Sequence, residues 1–389
     1  MTGDADPTGD ADSTTRTDAA EVADLTERLV SIPSHEDETA AGDAIEAWLR
    51  AETDAEVERD AVGNVIASKG AVDDPDATSL ALVGHHDVVP PADRQTTGDG
   101  TAGDYVIERR DGRIYGRGTA DMKGAVAATM CAFRDAEPPA GRELAVVSFV
   151  GEEVGGTGAR HAIDAGFVPD HAVVAEGSTN YSKPGVTDVV VAHKGRRAST
   201  LVAEGVAAHA SEPAAGENAV YRACDAVDVV RDLDAPTATT FGESVTGSLA
   251  VTGVHGGDTW NVIPERCTVT IDERTVPGER ADLGRTESID GVTWSVDQDL
   301  PPMACDDDAF ADAALAVARE VHTDLGLDAP EHTTKPHATD AGWLAGAGTA
   351  CLVCGASEPG EAHTKTESVG IDVLDRCYRI YKGLAEREW

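Results

Sequence analysis

The sequence predicts an α/β protein of two domains: a mostly parallel sheet layered with helices, and an inserted, smaller α+β two-layer sandwich. Three observations carry this. Apolar runs SLALVG (79–84), ELAVVSFV (143–150) and HAVVA (171–175) read as buried parallel strands. Helical patterns lie between or after them, as from Lys123 to Asp135 and from Gly158 to Ala165, and such alternation is the mark of a layered α/β domain. Near Val189 the pattern changes, and a chain of 389 residues is long for one core.

The elements follow in order. Met1 to Asp18 is polar, acidic and repetitive (GDADPTGDADSTTRTD) and is expected to be a disordered tail. Val22, Leu25, Leu29 and Ile32 recur at helical spacing until Pro33 stops the helix. A second helix is expected from Asp37 to Glu52. In the insert we read strands at Asp188–His193, Ala198–Ala203, Ser248–Val254 and Cys267–Arg274, with a helix at Asn218–Leu233. CTVTIDER alternates as a strand with one solvated face does. After Pro301 and Pro302 come helices at Asp308–Thr323 and Asp340–Ala345, the strand TACLVCG, and a last helix from Val369 to Arg387. The expected boundaries are 1–18 for the tail, 19–188 with 300–389 for the larger domain, and 189–299 for the insert.

Composition narrows the function. The chain has 31 basic against 71 acidic residues, a net charge of −40, so nucleic acid and anionic membrane are poor partners. Only seven of the basic residues are lysines. Such an acid-rich, lysine-poor surface resembles that of proteins from salt-loving organisms, where concentrated cations screen the repulsion. No apolar run is long enough to span a bilayer, and no basic-then-apolar leader opens the chain. Seven cysteines in a chain of this length do not suggest a disulfide framework, and together these features point to the cytoplasm. Cys351 and Cys354 form a CxxC inside an apolar run, which reads as buried strand ahead of a zinc knuckle.

Polar clusters fall just past the expected strands. SLALVG runs into His85, His86 and Asp87; ELAVVSFV ends before Glu152 and Glu153; HAVVA ends before Glu176. Ligands of open α/β sheets collect at the carboxyl ends of strands, and His, Asp and Glu delivered there by three strands suit a metal site. Taken singly, each residue could be a capped or solvated strand end, and Asp121 could be a helix N-cap.

Six segments in order carry a family likeness: GHHDVVP (84–90), YGRGTADMKG (115–124), SFVGEEVGGTGAR (148–160), AHAS (208–211), GGDTWNVIPE (256–265), and AHT with a downstream Glu (362–367). They resemble the zinc-dependent acetylornithine deacetylase, succinyl-diaminopimelate desuccinylase, aminoacylase and carboxypeptidase family, over nearly the whole chain after residue 20. The resemblance implies two divalent metal ions, zinc by preference with cobalt or manganese compatible. It assigns His85, Asp121 and Glu176 to one ion and Asp121, Glu153 and His363 to the other, with Asp121 bridging. The family often has proline after the glutamate that Glu176 matches, where this chain has Gly177. Asp87 would orient the His85 imidazole, and Glu152 would be the general base.

In the insert, which the resemblance makes a lid and dimerisation domain, His209 would stabilise the oxyanion. Asn261 and Arg274 would hold the substrate's carboxylate or oxyanion, although Arg274 could equally form an ordinary salt bridge. The implied activity is hydrolysis of the amide bond of a small N-acyl amino acid, most like acetylornithine deacetylase or succinyl-diaminopimelate desuccinylase, by a homodimer joined through the lid domain. A dipeptidase or carboxypeptidase on the same scaffold is the alternative. A non-catalytic metal-stabilised module is a reading of another class, and the presence of Glu152 argues against it.

Overall fold

A computed structural model describes residues 11–72, 74–97 and 104–389. The chain forms two compact units: residues up to 191 with 305–333 and 339–389, and residues 192–304 with 334–338. The first ten residues of the expected tail lie outside the described residues. The first helix is Ala11–Val30, so it begins earlier than the expected start at Ala19. No glycine or proline interrupts residues 10–30, and nothing in that stretch stops a helix before Pro33.

In the first unit one sheet is ordered Glu56–Arg59, Val65–Gly70, Arg142–Phe149, Thr78–His85, His171–Val174, Ala350–Val353, Val189–His193. The four strands from Arg142–Phe149 to Ala350–Val353 are parallel; the hairpin at one side and Val189–His193 at the other pair antiparallel. The parallel strands are the apolar runs seen in the sequence. Leu80, Leu82, Leu144, Val173 and Leu352 are all buried, because helices cover both faces of a parallel sheet. The antiparallel hairpin was not expected. Its turn is made by Asp60, whose Oδ1 accepts the N–H groups of Val62, Gly63 and Asn64.

Helices Gly124–Asp135 and Ile371–Ala385 bury most of their residues. Gly84 at the strand end allows a close approach: a Cβ there would sit 2.8 Å from Val126 Cγ2 and 3.1 Å from Met122 Cε. Cys351 and Cys354 are buried, the former within its strand, as core residues. Among the described residues no helix is long and apolar enough to cross a membrane.

The second unit has a four-stranded antiparallel sheet, ordered Ser248–Gly256, Arg266–Thr275, Gly195–Glu204, Val292–Leu300. Alternate residues of the two central strands are buried. Leu201, Ala203, Cys267, Val269 and Ile271 on that face pack against Ala219, Ala223, Ala226 and Val230 of the helix Ala219–Arg231. Each apolar side chain so buried contributes about 1.5–3 kcal/mol for a Val or Leu. The helix starts where Asn218 accepts the Val220 N–H, an N-cap.

Candidate metal centre

The site is built at the carboxyl ends of the parallel strands of the first unit. Thr78–His85 ends in His85, whose ring is buried. His85 Nδ1 lies 3.1 Å from the Asp87 carbonyl oxygen and 3.3 Å from Asp87 Oδ1, so an Nδ1–H has acceptors there and Nε2 is presented outward. Nε2 stands 3.2 Å from Asp121 Oδ1 and 3.3 Å from Glu176 Oε1. His86 turns the other way: its Nδ1 meets Ser148 Oγ at 2.8 Å, and burial pushes its pKa down to about 3.

Asp121 has its other oxygen in a second group. Its Oδ2 is 3.0 Å from His363 Nε2, which is 2.8 Å from Glu153 Oε1. The donor atoms of His85, Asp121 and Glu176 all lie within 4.8 Å of one another, as do those of Asp121, Glu153 and His363. The N-cap of the helix Gly124–Asp135 is Lys123, and Asp121 has extended backbone, so capping does not account for this aspartate. His363 has φ of +62°, an uncommon backbone for a side chain of this kind. Its loop is tied down by Arg113, which reaches Glu358 and Glu361, and by Gln95, which donates to the Thr364 carbonyl.

The charges of the site call for cations. Burial pushes the Asp121 carboxyl up, but hydrogen bonds from His363 and His85 outweigh it and hold it well below the usual range. Hydrogen bonds to Asp121 and Glu153 raise His363 to about 10. Burial lowers the His85 pKa, yet bonds to Asp121, Asp87 and Glu176 raise it well above normal. Both imidazoles thus lie among carboxylates, in the places where metal ions would neutralise the same charge. Imidazole with carboxylate, and no thiolate, fits zinc, cobalt or manganese.

Glu152 and Glu153 follow the strand Arg142–Phe149 on a turn gripped from behind. Asp87 Oδ1 accepts the Glu152 N–H at 3.1 Å and Oδ2 accepts the Glu153 N–H at 2.9 Å. Asn64, unnoticed in the sequence, accepts the Val150 N–H and donates to the Gly158 carbonyl, bracketing the turn. Burial, then the charges of Asp340, Glu176 and Asp121, raise the Glu152 pKa well above a normal carboxyl despite His85 nearby. Asp340 was also overlooked. It is a buried acid that burial, with Asp87 and Glu176, pushes up to about 7 against the opposing charge of His85. A carboxylate just before a short helix reads as a cap in sequence, which hid it.

A model of the peptidase family M20/M25/M40 matches residues 81–387. The chain belongs to this family. It is accordingly a hydrolase of the metal-dependent peptidase and amidohydrolase class. The fold is similar to that of aminopeptidase PepT from Bacillus cereus, with a TM-score of 0.74 and 18% identity over 94% of this chain and 97% of that one. It is also similar to a dinuclear metal-binding M20 peptidase from Bacillus subtilis, with TM-score 0.69 and 16% identity over 95% and 98% of the two chains. Human carnosine dipeptidase 1 gives 0.66 and 15% over 96% and 98%.

The remaining expected residues belong to the second unit. His209 and Val262 are partners in a short two-stranded pairing. The Ser211 N–H donates to His209 Nδ1 at 3.2 Å, and the Ser211 hydroxyl lies 2.7 Å from the same nitrogen. The Nδ2 of Asn261 is 3.4 Å from His209 Nε2. Arg274 is paired with Asp272 at 2.8 Å.

Proposed function

We propose that this protein hydrolyses the amide bond of a small N-acyl amino acid, using two divalent ions held by His85, Asp121 and Glu176 and by Asp121, Glu153 and His363. The observation that carries the reading is Asp121, whose two oxygens face two separate histidine–carboxylate groups. A bridging carboxylate of this kind suits ions about 3.5–4 Å apart. When bound, such ions supply Lewis acidity toward the scissile carbonyl and make water easier to deprotonate.

The chain's own groups do the rest. Asp87 orients the His85 ring and holds the Glu152–Glu153 turn, so that two adjacent carboxylates take different tasks. Glu153 faces His363, and Glu152, unpaired with either histidine, accepts the water proton and passes it to the leaving amine. No covalent intermediate is needed. His209 stabilises the oxyanion, and Asn261 and Arg274 hold the substrate's carboxylate end. The second unit then acts as a lid. Its fully exposed Trp260 and the exposed Val262 beside His209 leave apolar surface that a second copy would cover, which supports a homodimer. Seven free cysteines fit a reducing cytoplasm.

The dipeptidase reading shares every one of these steps and differs only in the acyl group. It gains from the peptidases among the similar structures. Assay of N-acetyl, N-succinyl and dipeptide substrates with zinc, cobalt or manganese separates the two. The mechanism is tested by Glu152→Gln, which is expected to keep two ions and lose nearly all hydrolysis. Full activity in that variant would remove Glu152 as the base, and fewer than one ion per chain after reconstitution would remove the two-ion site.

A further inference from the structure

We propose that Glu367 is the positioning residue that fixes the bridging Asp121 and couples it to the loop of His363. The proposal rests on the two-ion reading above. Glu367 lies shortly after His363 in the chain and is 1% exposed. Its Oε1 accepts three backbone N–H groups, from Gly118 at 2.9 Å, Ala120 at 3.0 Å and Asp121 at 3.2 Å. Its Oε2 pairs with Arg117 Nη1 at 2.5 Å, and Arg117 is itself buried. Backbone joins the same two segments, since the Gly116 N–H donates to the Glu367 carbonyl at 3.1 Å.

Amides converging on one oxygen form a concave anion cradle. Gly118 makes it possible: its φ is +85°, and a Cβ there would sit 2.8 Å from Val88 Cγ1. The chain fills the cradle with its own carboxylate. One of the three donors is the amide of Asp121, so Glu367 holds from behind the residue whose carboxylate oxygens face His85 and His363. On the other side, Glu367 precedes the strand Ser368–Gly370, which pairs with Arg113–Tyr115, and Arg113 grips the His363 loop at Glu358 and Glu361. Two ligand segments far apart in sequence therefore share one buried anchor. With both oxygens engaged by backbone and Arg117, Glu367 acts through Asp121 and binds no ion itself.

A buried ion pair that only supports the fold would affect stability and leave the metal site alone. Positioning predicts an effect on the ions. The full chain, stripped of metal by chelation, is titrated with cobalt(II) while heat and visible absorption are read. Glu367→Ala is expected to weaken the second ion by about 10- to 100-fold and to alter the cobalt spectrum. Added formate, a carboxylate small enough for the vacated cradle, is expected to recover part of the affinity. Glu367→Gln, which keeps volume and an acceptor oxygen, should shift the isotherm less and in the same direction, and it serves if the alanine variant does not fold. An unchanged isotherm and spectrum in the folded variants would overturn the proposal. Failure of the underlying reading looks different: wild type would take up fewer than two cobalt ions, or Asp121→Asn would bind like wild type.

Discussion

Asp87 serves three groups with one carboxylate. Oδ1 faces the Glu152 N–H and the His85 ring, and Oδ2 faces the Glu153 N–H. Asparagine has nearly the same shape but only one acceptor oxygen. Whichever way its amide turns, an NH₂ group meets a backbone N–H and a buried donor loses its partner, at a cost of about 1–3 kcal/mol. The turn carrying Glu152 and Glu153 would shift to relieve this. Asp87→Asn is therefore expected to lower kcat by about 10- to 100-fold and to weaken metal binding, with less effect on KM. Steady-state kinetics beside a metal titration check it, and wild-type kcat would refute the orienting role. His85, Asp87, Glu152, Glu153 and Glu176 stood out in the sequence because each lies within three residues of the end of an apolar run, while their separate roles come from the family resemblance. Glu367 and Asn64 were not legible in the same way. Their partners are backbone groups of distant segments, and no spacing in a sequence announces such bonds.

The helix Asp308–Asp324 shows how an element can carry pH dependence away from the site. His322 is fully buried on it; Nδ1 donates to the Ala318 carbonyl at 2.7 Å and Nε2 accepts the Thr187 N–H at 3.1 Å. The bond from Thr187 needs the neutral ring, since a protonated Nε2 cannot accept. Burial lowers its pKa, with the Arg376 charge adding to this and Ala318 and Asp188 opposing. The folded pKa is thus below the unfolded value of about 6.5, so the unfolded chain binds more protons as pH falls past that point. The contribution is fully present above about pH 6.5 and is lost as pH falls toward the folded pKa. His322→Gln keeps an acceptor for Thr187 and does not titrate. Its unfolding temperature is expected to fall less steeply than that of wild type between about pH 6.5 and 5. Equal slopes in calorimetry would refute this.

Elements with strong apolar periodicity were placed closely from sequence, such as Ala219–Arg231 and Arg266–Thr275. The strands Glu56–Arg59 and Val292–Leu300 were not, since most of their residues are only partly buried or exposed and their sequences lack an apolar run.

At the scale of the molecule, the excess of 71 acidic over 31 basic residues sets how the fold responds to salt. Unpaired carboxylates repel one another more when packed in the folded state than when spread along an unfolded chain. Some of the charge is offset locally, as where Arg113 meets Glu358 and Glu361, but a net −40 remains. The screening length is about 30 Å at 0.01 M salt, 10 Å at 0.1 M and 3 Å at 1 M. If screening is the mechanism, the unfolding temperature should climb through this range of potassium chloride and level off near about 1 M, because by then charges not in contact no longer sense each other. A rise that continued well beyond this point, and was larger in sulfate than in chloride, would instead mark salt exclusion acting on apolar burial. No rise at all would mean that the carboxylates lie too far apart to destabilise the fold. Thermal unfolding in the two salts, at a pH near 7 where these carboxylates are ionised, separates the three outcomes, and only the first supports the view of this surface as one suited to concentrated cations.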